Sequence, residues 1–261
     1  MIESFATPEG TANFAKKSLA HKENFRKIQE LTLSNVGIGT YLGNPDLETD
    51  TQQKSAIKQS ILYGVNVIDT AINYRAQKSE RTVGKAISEL IEEGKINRSE
   101  IFVSTKNGYV TNDADIQEDF MAYVMREFGK TGIVKEGDIS AQYNCMTVQF
   151  LEDQLARSKK NLGLDCIDLM YLHNAVEGQP QMQRDEFVAQ LKNVFEFYEG
   201  QRKERNIRFY GLATWECFRV SKENTNFLSL SQVIDLAKQV GGSTHGFRFI
   251  QLPYNLQFDQ A

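Results

Sequence analysis

Apolar and polar positions alternate with two different periods along this chain. Five segments space their apolar residues three and four positions apart, which predicts helices, and a short apolar run follows each of them. The helices are expected at 49–64, 79–94, 147–163, 185–204 and 229–242, and the strands at 65–71, 101–106, 166–173, 207–214 and 247–255. Near-continuous apolar strands that alternate with helices indicate a buried parallel sheet with right-handed βαβ connections.

The chain before the first of these helices predicts a hairpin and one more strand. Residues 25–43 contain a short hairpin that leads into a first core strand from Val36 to Tyr41. Thr49 or Asp50 is expected to cap the helix that follows, and Gly64 is expected to end it. Residues 1–24 are largely polar, and we interpret them as an N-terminal extension of a single domain, 1–261.

One connection is much longer than the others. Residues 107–146 separate the strand at 101–106 from its helix, and they are polar and rich in glycine, with helical spacing at 119–128. Connections of this length are usually functional or disordered. The segment also leaves the carboxyl end of its strand, where sites form in folds with a parallel sheet, so we interpret 107–146 as an insertion and a candidate lid.

Composition narrows the class of protein. The net charge of −4 does not suggest the broad basic face of a nucleic-acid-binding protein. No run of about 18 apolar residues predicts a membrane span, and the polar first residues do not resemble a secretory signal. The three cysteines lack the spacing of a metal site or a disulfide framework. These features predict a cytoplasmic protein without metal, nucleic-acid or membrane partners.

Four ionisable side chains stand at the ends of three predicted strands. Asp69 ends the strand at 65–71, Tyr74 follows in the next loop, Lys106 ends a second strand and His173 ends a third. Each has an ordinary structural interpretation: a turn-forming aspartate, a packed tyrosine, a solvated lysine, a histidine at a sheet edge. Their common position at strand ends favours one shared site instead.

This set of side chains suits the protonation of an oxygen atom. The phenol of Tyr74 has an ordinary pKa near 10, and an ammonium such as that of Lys106 would lower it. Asp69 could hold the lysine in its charged form, and His173 could hydrogen-bond the same incoming oxygen. No serine or cysteine nucleophile with a suitable base is evident, so general acid catalysis is the better interpretation.

The glycine pattern argues for a barrel. Residues 37–46, GIGTYLGNPD, do not match G-x-G-x-x-G opening a helix, which weakens the interpretation as a dinucleotide-binding Rossmann fold. Chemistry at strand ends is typical of the (β/α)8 barrel. We therefore predict an α/β fold of the (β/α)8 TIM-barrel type, of which this chain provides about six βα pairs.

Several segments together resemble the aldo-keto reductases over about residues 30–255. The matching segments, in family order, are GIGTY, VIDTAINYRAQKSERTVGKAI, IFVSTK, IDLMYLH, FYGLATW and IQLPYN. The resemblance implies NAD(P)H-dependent reduction of an aldehyde or ketone to an alcohol, or the reverse. It implies a catalytic tetrad in which Tyr74 is the general acid, its pKa lowered by Lys106, with Lys106 paired to Asp69 and His173 orienting the carbonyl.

The resemblance also implies residues that bind the cofactor, NADP or alternatively NAD. Thr40 matches a first-strand residue beside the cofactor. Gln251 matches a glutamine that binds the nicotinamide amide. The family often has Ser-Asn where this chain has Ala213 and Thr214, so Thr214 keeps a hydroxyl for the same amide and Ala213 does not.

The substrate pocket is expected to include Tyr41 and Arg75. Tyr41 matches a first-strand residue of the pocket, and Arg75 replaces the glycine that commonly follows the catalytic tyrosine. The substrate would be a small carbonyl compound or alcohol. The last two βα pairs of the family barrel are not present before residue 261. There are therefore two alternatives to an active reductase: a non-catalytic module that senses nicotinamide nucleotides, or an inactive truncated fragment.

Overall fold

Six strands form one sheet in a computed structural model that describes residues 1–259. Their order is β3-β4-β5-β6-β7-β8, and a separate two-stranded sheet pairs β1 with β2. In the described residues the strands are β1 (Phe25–Ile28), β2 (Leu31–Ser34), β3 (Ile38–Gly39), β4 (Val67–Asp69), β5 (Phe102–Asn107), β6 (Ile167–His173), β7 (Ile207–Ala213) and β8 (Phe247–Gln251). The α-helices are α1 (Pro8–Lys17), α2 (Leu47–Leu62), α3 (Lys78–Glu92), α4 (Phe120–Val124), α5 (Val148–Leu162), α6 (Arg184–Lys203) and α7 (Leu230–Gly241).

The predicted alternation of helices and parallel strands is confirmed. The pairs β3–β4, β4–β5 and β7–β8 are parallel, and each expected helix is present with ends within two residues of the prediction. The hairpin is also confirmed, because β1 and β2 pair antiparallel. The first core strand is shorter than expected, since only Ile38 and Gly39 pair with β4.

The N-terminal cap of α2 differs from the prediction. The helix begins at Leu47, and the Asp46 carboxylate accepts a hydrogen bond of 2.8 Å from the Thr49 amide. Thr49 and Asp50 therefore lie inside the helix, and the prediction that one of them caps it was wrong. An aspartate one turn earlier already satisfies a free N–H of the first turn. Gly64 follows the helix end with φ of 104°, as a glycine there is expected to do.

The polar extension contains a helix that the spacing did not reveal. Thr7 caps α1 through a hydrogen bond from the Gly10 amide. Ala6 and Phe14 are buried. Gly10 packs so closely that a Cβ atom there would lie 2.3 Å from the Ser99 carbonyl oxygen. With so few apolar side chains buried, α1 lacks the continuous apolar stripe that identifies a helix in a sequence.

The described chain divides into two compact parts. Unit 1 comprises Met1–Thr105, Thr111–Gln117 and Leu155–Leu169, and unit 2 comprises Lys106–Val110, Glu118–Gln154 and the described part of Met170–Ala261. In unit 1, the buried Arg98 and Asp168 form an ion pair of 2.6 Å. In unit 2, the rings of Phe195, Tyr210 and Phe247 lie 5.0–6.0 Å apart. The single-domain interpretation stays a prediction.

The residues of the long insertion are divided between the two units, with 111–117 in unit 1 and the others in unit 2. In unit 2, the Cys145 amide donates to the Gly108 carbonyl at 2.8 Å, so the segment ends where it began. Its helical middle is confirmed as α4, followed by a π-turn at Met125–Gly129. In unit 1, Asp113 pairs with Arg81 on α3 at 2.5 Å. A lid would therefore have to be formed by residues after 117, because 111–117 is held to α3.

Within residues 1–259, no helix combines the length and the apolar character that a membrane crossing requires.

Candidate active site

In unit 1, the end of β4 is surrounded by polar side chains. The Asp69 carboxylate accepts a hydrogen bond from the Ser104 hydroxyl at 2.7 Å, and the buried Thr40 donates its hydroxyl to the Asp69 carbonyl at 3.2 Å. The register of the strands explains this arrangement, because Asp69 is paired directly with Gly39 on one side and Ser104 on the other. Thr40 and Asp69, both predicted from the sequence, are thus neighbours.

Tyr74 lies in the turn after β4 and packs against Tyr41. Their rings are 5.0 Å apart in an edge-to-face arrangement, and Tyr41 keeps an exposed side. Burial raises the pKa of the Tyr74 phenol, and the nearby Asp69 carboxylate and Tyr41 raise it further. This direction is opposite to the expected lowering, since the loss of water and the negative charge both disfavour the phenolate. Tyr74 is therefore a protonated donor at neutral pH.

The Arg75 side chain binds α2 and the loop before it. Its guanidinium is 1% exposed and points to α2 and the loop before it. It donates to the Asn44 carbonyl (2.8 Å), the Asp46 carbonyl (3.3 Å), Asp50 (2.5 Å) and Gln53 (2.9 Å). With four of its five N–H donors engaged in unit 1, the expectation that Arg75 lines a substrate pocket has no support.

In unit 2, Lys106 and His173 are both buried at strand ends. Lys106 is 1% exposed and His173 is 8% exposed. Burial, with a smaller contribution from the Lys106 ammonium, lowers the pKa of His173 to about 3. His173 is therefore a neutral imidazole, which can offer one N–H donor and one acceptor. Its carbonyl accepts a hydrogen bond of 3.0 Å from the Asn144 side chain.

Tyr109 is a residue of this site that the sequence did not single out. Its ring meets that of His173 edge to face at 5.0 Å, and its hydroxyl accepts a hydrogen bond of 3.1 Å from Asn174. Tyr109 comes three residues after Lys106, at the start of the insertion. An aromatic residue so close to a functional strand end is the signal that could have identified it.

Thr214 and Gln251 lie together after β7 and at the end of β8. The Thr214 amide donates to the Gln251 carbonyl at 2.8 Å. The Thr214 hydroxyl is already engaged, because it donates to Glu177 and accepts from the Cys217 amide at 3.2 Å. The Gln251 side-chain amide, in contrast, has no hydrogen-bond partner among residues 1–259. Of the two predicted cofactor residues, Gln251 is thus the one whose side chain is available.

Glu177, in the loop after β6, was also missed. Its Oε1 atom accepts hydrogen bonds from Thr214 and from three consecutive backbone amides, those of Trp215, Glu216 and Cys217. Its Oε2 atom is buried and has no hydrogen-bond partner in the described part of the chain. A buried acceptor of this kind fits a ligand that presents an N–H or O–H group, as the amide of a nicotinamide does.

The comparisons with known proteins give the family. A model of the aldo/keto reductase family matches residues 35–233. The chain belongs to this family. Aldo/keto reductases share a (β/α)8 barrel, and this chain has part of that fold, with a six-stranded parallel sheet. Two solved family members have a similar fold: AKR11C1 from Bacillus halodurans (holo form; TM-score 0.55, 21% identity) and an enzyme from Brucella melitensis (TM-score 0.51, 19% identity).

The chain matches only part of the length of these proteins. It aligns over 88% of its own residues with 57% of the Bacillus halodurans chain, and over 90% with 65% of the Brucella melitensis chain. A curated relative, the NADH-specific methylglyoxal reductase of Escherichia coli (strain K12), is 28% identical over 151 residues, which are 55% of this chain and 39% of the relative. This aldo/keto reductase chain therefore corresponds to part of a typical family member.

Proposed function

We propose that this protein reduces an aldehyde or ketone to an alcohol with a nicotinamide cofactor, or catalyses the reverse reaction. The main support is the phenol of Tyr74, which lies in the turn after β4, close to Asp69 and packed against Tyr41, within the motif that resembles the aldo-keto reductases. A carbonyl oxygen that gains negative charge during hydride addition needs a proton donor of this kind.

The four predicted ionisable residues have distinct roles in this proposal. Tyr74 donates its proton to the carbonyl oxygen. Lys106 stabilises the resulting phenolate, and Asp69 supports the charge of Lys106. His173 is neutral, so it orients the carbonyl through a hydrogen bond without adding a charge of its own.

The cofactor, when bound, supplies the hydride. Thr40 and Gln251 are proposed to contact it, and Thr214 is proposed to shape its binding site. The curated relative is NADH-specific by name. The family resemblance leads us to expect NADPH, whereas this relative favours NADH. The choice between the two cofactors is therefore to be measured directly.

The substrate is proposed to be a small carbonyl compound. Methylglyoxal is the first compound to test, because it is the substrate named for the curated relative. Tyr41, whose ring packs against that of Tyr74, is an aromatic side chain that we propose to contact the substrate.

The test is a cofactor-oxidation assay on the full chain. NADH and NADPH, each deuterated at the transferable position, are incubated with methylglyoxal and a panel of aldehydes and ketones. The proposal predicts loss of reduced cofactor and one deuterium on the carbinol carbon of the product, detected by mass spectrometry. Tight cofactor binding by calorimetry without any product would instead support a sensing module.

A further inference from the structure

We infer that Glu177 is a further cofactor-binding residue, whose Oε2 atom accepts a hydrogen bond from the amide group of the nicotinamide. The inference rests on the proposed function. It assigns to a carboxylate after β6 the amide recognition that the family resemblance places on a hydroxyl after β7.

The position of the Glu177 carboxylate is fixed by the turn that it binds. Its Oε1 atom accepts from the amides of Trp215 at 3.1 Å, Glu216 at 2.7 Å and Cys217 at 3.2 Å, in addition to the Thr214 hydroxyl. Consecutive backbone amides form a strong anion-binding arrangement, and hydrogen bonds to a carboxylate are stronger than neutral ones. The side chain is thus preorganised before any ligand arrives.

The second oxygen of the same carboxylate lacks a partner. Oε2 is buried, and no group among residues 1–259 donates to it. Leaving a buried acceptor unsatisfied destabilises a folded protein, and more so when the acceptor is charged. An ionised carboxylate is an acceptor only, so the missing partner must be an N–H or O–H donor.

The neighbouring residues identify the amide of nicotinamide as that donor. Gln251, whose side-chain amide is available, is joined to Thr214 through a backbone hydrogen bond of 2.8 Å. The single proton of the Thr214 hydroxyl is donated to Glu177, and Ala213 has no polar side-chain atom. A primary amide presents both an N–H donor for Glu177 and a carbonyl acceptor for Gln251.

The test compares two cofactors that differ at one group. Calorimetric titration of the wild-type full chain uses the better-binding oxidised dinucleotide and its 3-acetylpyridine analogue, in which a methyl group replaces the amide NH2. A hydrogen bond to a charged group is worth about 1.5–3 kcal/mol, so the parent cofactor should bind about 10- to 100-fold more tightly than the analogue. Equal affinities for the two compounds in the wild type would overturn the inference.

The variant Glu177→Gln should abolish this discrimination. The glutamine side chain of the variant has only one acceptor oxygen, and the amides of residues 215–217 require it. Its NH2 group would therefore face the cofactor amide. We expect the parent cofactor and its analogue to bind the variant with equal affinity, because both oxidised rings lose the same attraction to the charge of Glu177 and only the parent also loses a hydrogen bond. The matched control is Glu223→Gln, an exposed glutamate that should leave both affinities unchanged. If Glu177→Gln still bound the parent cofactor more tightly than the analogue, the partner of Oε2 would be water, and the inference would be overturned.

The charge of Glu177 provides a second readout, which a purely structural role would not affect. The oxidised nicotinamide ring is cationic and the reduced ring is neutral. Glu177→Gln should therefore weaken binding of the oxidised form about 3- to 10-fold more than binding of the reduced form. Equal weakening of both forms would indicate that Glu177 only stabilises the turn. If the wild type binds neither cofactor form, the proposed function fails together with this inference, whereas wild-type binding without discrimination overturns the inference alone.

Discussion

One carboxylate, that of Asp69, lies at the end of β4 in unit 1, and another, that of Glu177, lies in the loop after β6 in unit 2. Their hydrogen-bond partners differ. Asp69 accepts a hydrogen bond from the Ser104 hydroxyl and acts on the pKa of Tyr74. Glu177 has one oxygen surrounded by donors and the other without any in the described residues. The first carboxylate adds to the rise that burial causes in the pKa of Tyr74, and the second retains an acceptor for a ligand.

Two adjacent residues show the same contrast within unit 1. Tyr74 is half-buried next to Tyr41, while Arg75 is almost wholly buried against α2 and its preceding loop. Arg75 adopts φ of 52°, in the left-handed region, and its side chain binds the loop before α2 and α2 itself. A position next to a functional residue is thus weak evidence for function.

The largest expected effect comes from removing the phenol of Tyr74. Tyr74→Phe deletes the proton donor but keeps the ring that packs on Tyr41, so the reduction rate should fall about 10²- to 10⁴-fold with an unchanged melting temperature. Steady-state turnover with the best carbonyl substrate measures this. The control is Tyr63→Phe, a mostly exposed tyrosine that should have wild-type turnover. Equal turnover in Tyr74→Phe and Tyr63→Phe would remove Tyr74 from the reaction.

The next effect concerns stability and not turnover. Arg75→Leu removes hydrogen bonds to Asp50 and to the carbonyls of Asn44 and Asp46, and should lower the free energy of unfolding by about 1–3 kcal/mol. Urea unfolding measures the loss, and the KM of the folded variant should stay within a factor of about two, because the side chain faces α2. A large rise in KM at unchanged stability would restore Arg75 to the substrate pocket.

Taken per pH unit, a smaller effect is expected from the pH dependence of stability. His173 has a pKa of about 3 when folded against an ordinary value of 6.5, so the unfolded chain binds the extra proton between these values. Stability should therefore fall as the pH drops from 6.5 towards 3, by up to about 1.4 kcal/mol per pH unit. His173→Gln should show a shallower decline in urea unfolding over this range. Parallel declines in wild type and variant would contradict a buried neutral His173.

The sequence predicts the helices and strands well where one face is continuously apolar. In α3, the buried Val83, Ile87 and Leu90 follow helical spacing, and its ends were predicted within two residues. Helix α1 was missed because it buries few apolar side chains. Asp69 and His173 end β4 and β6, and Lys106 is the last but one residue of β5, as the strand pattern predicted, whereas their catalytic roles stay a prediction.

The contacts of the site could not be predicted, for a physical reason. Arg75 binds groups 22–31 residues earlier, and Glu177 binds donors 37–40 residues later, three of which are backbone amides. The identity of a residue does not show whether its backbone amide donates to a side chain. The direction of the Tyr74 pKa shift depends on its burial, which a sequence does not give.

The most direct test of the central proposal, that Tyr74 and Lys106 act in one reaction, is a double-mutant cycle between Tyr74→Phe and Lys106→Met. The measured quantity is the single-turnover rate of deuteride transfer from deuterated cofactor to the carbonyl substrate. If the phenol and the ammonium act on the same proton transfer, the double variant should be no slower than the slower single variant. Losses that multiply in the double variant would show that Tyr74 and Lys106 act independently, and would contradict the account.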